Sequence, residues 1–322
     1  MEYNDIFEDI IGHNLIKSIL ISTLEKKQIS PAYLFNGPNG VGRKLTAIRF
    51  LEGLLIKSNL VKNNRRRLQE QNHPDLIWIE PSYLIQGKII PRSSMNEQKS
   101  RSLPQIRIEQ IKDLSRFLSR KPLEANISMA IVEDVEDMNE SSANALLKTL
   151  EEPSNGILIL ISSRPEKLLP TIKSRCQNIS FSALNKHELD QVLVKINAKE
   201  KWQISDIITE DDLLDISHGS PGEWINNVEY LEEIPRDILI RIQKKHDNPI
   251  DSLNLARDIS ESLNIDSQIW LIKWLQEKHW RINYDLKVVN ILERLRQNLK
   301  FHVQSRLAWE MALLKIGEQI KR

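Results

Sequence analysis

Short apolar runs alternate with helical patterns through the first half of the chain, at Ala32–Phe35, Leu76–Ile79, Ile127–Val132 and Ile157–Ile161. Each run is apolar throughout, and each is followed by a turn or a helical segment. Strands buried on both faces by crossover helices read this way, so the pattern predicts a parallel α/β sheet, with Gln177–Phe181 as a fifth strand. Pro81 to Pro104 interrupts the alternation with serines, charges and a Gln86-Gly87 turn, and reads as a surface loop. Beyond Phe181 apolar residues recur at helical spacing almost to the end. Gly219-Ser220-Pro221-Gly222 and Pro235 punctuate that region. The expected domains are an α/β unit at 1–181, a small helical unit at 182–231 and a second helical unit at 232–322.

A chain of 322 residues is long enough for two or three domains with cores of their own. Its 45 basic and 44 acidic residues leave a net charge of +1, so any contact with nucleic acid must be local. The basic run Arg65-Arg66-Arg67 is compatible with a solvated face or with a phosphate contact, and no interleaved aromatic residues accompany it. A single cysteine, Cys176, excludes an internal disulfide and fits a reducing, cytoplasmic setting. The acidic amino terminus does not resemble a secretory signal, and no apolar run approaches the roughly 20 residues of a membrane span.

The first strand runs into Gly37-Pro38-Asn39-Gly40-Val41-Gly42-Arg43-Lys44, followed by a helical pattern from Leu45 to Leu55. A strand, a glycine-rich turn and a helix amino terminus aim backbone N–H groups and the helix dipole at an anion. A hydrolysing loop carries lysine and then serine or threonine after the last glycine, the first for the outer phosphates and the second for magnesium. Arg43 and Lys44 stand at those positions here, and lysine has no oxygen to ligate a metal. The loop is open to three readings: a turn without a ligand, a nucleotide site without efficient hydrolysis, or a competent ATPase. ATP is thus a doubtful cofactor.

After the third strand come Glu133 and Asp134, where nucleotide hydrolases of this architecture place aspartate and then glutamate. The reversed order displaces both carboxylates by about an ångström, enough to impair in-line attack. With Glu136 and Asp137 following, an acidic surface turn is an equal alternative. Ser162 and Ser163 end the fourth strand and read physically as a strand cap. The tryptophans at 202, 224, 270, 274, 280 and 309 fall mostly at helical spacing and read as core or as an interface between helices.

Asn144-Ala-Leu-Leu-Lys-Thr-Leu-Glu-Glu-Pro153 reads physically as an amphipathic helix with Ala143, Leu146, Leu147 and Leu150 on one face and Pro153 as its stop. That string, with Ser174-Arg175-Cys176 downstream, resembles the signature of bacterial clamp-loader subunits of DNA polymerase III, members of the AAA+ nucleotide-binding family. Ile10-Ile-Gly-His13, the phosphate loop and His73-Pro-Asp75 are similar to that family at its expected spacing. Arg43-Lys44, Glu133-Asp134 and Gly219-Ser-Pro-Gly222 depart from the motor subunit in the direction of the delta-prime branch. Ser305 to Leu314 resembles the collar helix of that branch. The resemblance implies an AAA+ domain, a helical lid and an oligomerising collar. It also implies gamma/tau motor and delta subunits as partners, with the sliding clamp and primer–template DNA reached through the complex. The four-cysteine zinc module of many members has no counterpart between Ser58 and Asn72, so zinc is not expected. By the same analogy Arg175 is a finger reaching a neighbour's ATP in trans; the plain alternative is an arginine paired with a nearby carboxylate. The family resemblance also implies a sensor of a terminal phosphate at Ser162 and Ser163, with the strand cap as the plain alternative. Two rivals remain: a hydrolysing AAA+ motor or remodelling ATPase, and an inert adaptor.

Overall fold

The computed structural model describes residues 3–55, 61–94, 103–151, 156–196, 208–244, 248–283, 285–301 and 303–320. The chain divides into two compact units, Met1–Gln191 and Val192–Arg322.

The first unit runs α1 (Tyr3–Ile6), α2 (Asn14–Lys26), β1 (Ala32–Asn36), α3 (Arg43–Leu55), α4 (Val61–Gln69), β2 (Leu76–Ile79), β3 (Ser82–Ile85) and β4 (Lys88–Pro91). It continues with α5 (Ile108–Leu118), β5 (Ser128–Val132), α6 (Glu140–Glu151), β6 (Gly156–Ser162), α7 (Pro170–Lys173), β7 (Gln177–Ser180) and the start of α8 (Lys186–Lys195), within which the first unit ends. Five strands form one parallel sheet in the order β2-β5-β6-β1-β7. The apolar runs and this sheet coincide to within a residue or two, because full burial of both faces demands unbroken apolar sequence.

Alternation along β1 serves two cores. Tyr33 and Phe35 meet Phe50, Leu51 and Leu20 on one face, while Ala32 and Leu34 join Ile111, Leu114 and Leu146 on the other. Each leucine, isoleucine or phenylalanine among them contributes about 1.5–3 kcal/mol when fully buried. The face predicted for α6 is the packed one, with Ala143 and Leu146 buried and Leu147 and Leu150 against the same cluster; Pro153 lies outside the described residues.

The segment 81–104 departs from the loop expectation. Residues 82–91 form an antiparallel hairpin pairing Leu84 with Ile89, turned by Gln86 at φ 49° and Gly87 at φ 79°. A two-residue turn with both φ positive matches the twist of the flanking strands, which is why so short a segment pairs. Residues 95–102 lie outside the described residues.

The second unit is helical: α9 (Glu210–Ile216), α10 (Pro221–Glu233), α11 (Arg236–Gln243), α12 (Pro249–Ser262), α13 (Ile265–Asn283), α14 (Leu286–Lys300) and α15 (Ser305–Ile320). Ser220 caps α10 by accepting from the Glu223 N–H, with Pro221 at the first helical position. Trp224, Trp270, Trp274 and Trp309 are buried, Trp280 is half exposed, and Trp202 lies outside the described residues. The indoles of Trp270 and Trp309 are satisfied by buried polar side chains. Trp270 Nε1 donates to Asn227 at 2.9 Å, Asn227 Nδ2 to Ser217 at 3.0 Å, and Trp309 Nε1 to Gln268 at 2.9 Å. No helix among the described residues is long and apolar enough to cross a membrane.

Candidate functional site

Strand β1 delivers the chain into the glycine loop and α3 receives it. Gly37, Gly40 and Gly42 adopt φ of 145°, 70° and 98°, conformations that side chains resist. Gly37 is also fixed by space, since a Cβ there would lie 2.4 Å from the Phe181 carbonyl oxygen. His13 Nε2 lies 2.9 Å from the Val41 carbonyl oxygen and steadies the loop's far side.

Arg43 opens α3 almost fully buried. Its Nη2 donates to Asn39 Oδ1 at 2.7 Å, while its buried Nη1 has no hydrogen-bond partner. Burial pulls the guanidinium below its ordinary value, and the charges of Asp134, Glu136 and Glu133 work against that pull. Lys44 turns the other way. Its Nζ lies 2.7 Å from Glu133 Oε1 and 4.6 Å from the centre of the Trp78 ring, and Trp78 Nε1 donates to the same carboxylate oxygen at 2.6 Å. Thr46 faces inward, its hydroxyl donating to the Gly42 carbonyl at 2.9 Å.

The four carboxylates after β5 are sorted by cations. Asp134, left-handed at φ 47°, accepts from Arg92 Nη2 at 2.7 Å, and Asp137 accepts from Arg164 Nη2 at 2.8 Å. Glu136 is buried and accepts from the Ser163 N–H at 2.9 Å and its hydroxyl at 2.6 Å. Burial raises Glu136, but the hydrogen bonds from Ser163 and Ser162 outweigh it and hold the carboxyl below its ordinary value. A surface turn therefore does not describe this cluster: Glu136 is enclosed and serves as an acceptor. Ser163, the sensor candidate, is committed to Glu136. Among the described residues no group of three or more His, Cys, Asp or Glu is arranged to hold a metal ion.

The loop and the acidic pair thus come together as read from sequence, whereas the contacts of Arg175 lie elsewhere. Its Nη2 donates to Glu151 Oε1 at 2.7 Å and its Nη1 to the Thr171 carbonyl at 3.1 Å, with the side chain 36% exposed. In the isolated chain the plain reading of a paired arginine is the one observed. Cys176 packs against the sheet's second core, and burial pushes its thiol up to about 11. The basic run on α4 is consumed by carboxylates: Arg65 by Glu52, Arg66 by Glu70 and Arg67 by Glu124.

One feature escaped the sequence reading. Helices α5 and α6 flank a cavity of about 900 Å³ lined by Lys112, Arg116, Arg120, Lys121 and Lys148, with Ser115, Ser119, Ser141, Asn144 and Thr149 between them. No carboxylate among the described residues lines it. Its signal was present: Lys112 and Arg116 stand four residues apart on α5, and Arg120 and Lys121 follow just past its end.

A sequence model of the family described as "DNA polymerase III, delta subunit" matches residues 12–185, and one described as "Cyanobacterial DNA polymerase III delta prime, C-terminal domain" matches residues 187–316. DNA polymerase III subunit delta' of Bacillus subtilis is 28% identical over 186 residues, covering 56% of this chain and 50% of that protein. Its counterpart in Pseudomonas aeruginosa is 34% identical over 158 residues, covering 47% and 43%. The chain thus spans half or less of the length of these relatives. A solved gamma subunit-related protein from Thermotoga maritima aligns over 93% of this chain and 98% of its own, at 20% identity and a TM-score of 0.49.

Proposed function

The chain belongs to the delta and delta-prime family of DNA polymerase III clamp-loader subunits, and on that premise we propose that it is a largely ATPase-deficient subunit that lends Arg175 to a neighbour's ATP. The gamma/tau motor subunit would be that neighbour and the delta subunit a further partner. The observation that carries this reading is how lightly Arg175 is held. Its bond to Glu151 joins side chains 36% and 54% exposed, and such a surface pair is worth at most about 1 kcal/mol. The guanidinium can therefore leave Glu151 for phosphoryl oxygens at little cost. A finger supplied in trans accelerates phosphoryl transfer by about a thousandfold or more.

The chain's own loop supports the other half of the proposal. Lysine occupies the position that should ligate magnesium, and Glu133 and Asp134 are each bound to a cation. The residues present do not fit a magnesium ion, which takes oxygen ligands in near-octahedral geometry. The cavity between α5 and α6 suits primer–template DNA, because clustered cations and hydroxyls without carboxylates engage backbone phosphates regardless of sequence. Helices before and after residue 231 would act as lid and collar.

The test is reconstitution with motor and delta subunits. Arg175→Ala should lower DNA-stimulated hydrolysis about a thousandfold at the adjoining site while the complex still assembles. Unchanged hydrolysis in the assembled complex would leave the inert adaptor as the correct account. Brisk magnesium-dependent turnover by this chain alone, abolished by altering Arg43, would establish the hydrolysing rival.

A further inference from the structure

The misfit between the phosphate loop and magnesium has a positive counterpart. All four carboxylates that follow β5 are paired with cations of the chain itself: Glu133 with Lys44, Asp134 with Arg92, and both Glu136 and Asp137 with Arg164. Glu136 also accepts from the Ser163 hydroxyl. Arg43 is left over. Its side chain is more than nine-tenths buried, its Nη2 is tied to the loop through Asn39, and its Nη1 has no acceptor. An unsatisfied guanidinium N–H beside a helix amino terminus and a glycine loop is a demand for an anion.

We propose that this loop is a metal-independent phosphate site, in which the Lys44 ammonium takes over the charge-balancing place of magnesium and Arg43 holds the phosphate oxygens. The proposal rests on the reading of the chain as a subunit that does not hydrolyse nucleotide, and it extends that reading from what the loop has lost to what it retains. In an ordinary loop magnesium bridges phosphate oxygens to a hydroxyl and tightens binding. Here a magnesium ion on the phosphate would meet Lys44 and the paired Glu133. It would also withdraw negative charge that Arg43 would otherwise use. Magnesium should therefore leave affinity unchanged or weaken it.

Calorimetric titration of the full chain with ADP, ATP and inorganic phosphate, each in excess EDTA and again in magnesium, tests this directly. The expected result is binding in EDTA that does not tighten when magnesium is added. Competition by inorganic phosphate as effective as that by ADP would identify the free anion as the occupant, and binding of nucleotides alone would identify their phosphate chain; either supports the site. No binding of any of the three in EDTA, or a tenfold or greater tightening by magnesium, overturns it. Lys44→Thr removes a half-exposed side chain, supplies a hydroxyl and frees Glu133, so it should fold and should acquire magnesium-dependent tightening of tenfold or more. Persistent indifference of that variant to magnesium would count against the role given to Lys44. Because Arg175 contacts Glu151 and Thr171, Arg175→Ala should bind phosphate as the parent does, which separates failure of this site from failure of the finger.

Discussion

Gly37 and Gly42 look alike in the sequence and differ in what surrounds them. Both have positive φ, but an added Cβ at Gly37 would strike the Phe181 backbone, whereas at Gly42 it would meet nothing within 4 Å. Gly42→Ala should therefore cost only backbone strain, about 1 kcal/mol or somewhat more, and Gly37→Ala about 2–4 kcal/mol, because the backbone at Phe181, just past β7, must also shift. Chemical denaturation of the two variants side by side checks the difference, and equal losses would mean that the loop relaxes freely. Cys176 is a second case decided by surroundings. With its thiol near 11 rather than the ordinary 9.0, its thiolate fraction at pH 8 is roughly a hundredfold lower than that of a free cysteine. Alkylation by iodoacetamide at that pH should slow in proportion in the native protein and return to the free rate in urea; a fast native rate would refute the burial argument. Residue type and spacing identified the loop and the acidic pair, and the resemblance to clamp-loader subunits singled out Arg175. Neither could reveal that Lys44 would settle on Glu133, or that Arg175 would rest on Glu151, because both depend on partners 89 and 24 positions away.

Between elements, the His73-Pro74-Asp75 turn shows how a short motif fastens the sheet. Asp75 accepts from the N–H groups of Leu123, Glu124 and Ala125 at 2.6, 2.8 and 2.7 Å, joining the start of β2 to the segment that leads into β5. His73 Nδ1 accepts from the Asp75 N–H at 3.1 Å, so the ring is the neutral tautomer with its proton on Nε2. Burial raises Asp75, but the three backbone donors prevail and hold it below its ordinary 3.8; burial, helped by Arg67, holds His73 below its ordinary 6.5. Both folded-state values are depressed, so the unfolded chain takes up the protons first and stability falls on acidification. His73 should produce a loss that begins below about pH 6.5 and Asp75 a further loss below about pH 4. Asp75→Asn should cost about 1–3 kcal/mol at pH 7, since its amide group turns a donor towards donors, and should flatten the second acid limb. Urea denaturation across pH measures both effects. A variant as acid-labile as the parent below pH 4 would show that another carboxylate governs that limb. The strands were legible because unbroken apolar runs have few other uses. The β3–β4 hairpin was not, because its strands are four residues each and half exposed, and only the Gln86-Gly87 turn marked it.

At the scale of the whole molecule, near-zero net charge conceals a strongly uneven distribution. Arg65, Arg66 and Arg67, the basic run most conspicuous in the sequence, are each spent on a carboxylate. The cations around the α5–α6 cavity are largely not spent this way; Arg116 alone among them has a described ion pair, with Asp113 at 2.9 Å. Nucleic-acid affinity should therefore track this cavity and not α4. Each backbone phosphate neutralised on duplex DNA releases counterions and adds about 0.9 to the slope of log affinity against log salt. In the assembled loader on primer–template DNA, replacing both Arg120 and Lys121 by Gln should lower that slope by up to about 1.8, with a similar loss on any sequence. Replacing Arg66 and Arg67 by Gln should leave it unchanged, because their guanidinium groups already serve Glu70 and Glu124. A salt titration of the two double variants decides between the surfaces. If the α4 variant loses slope and the cavity variant does not, the DNA path runs along the other face of the sheet.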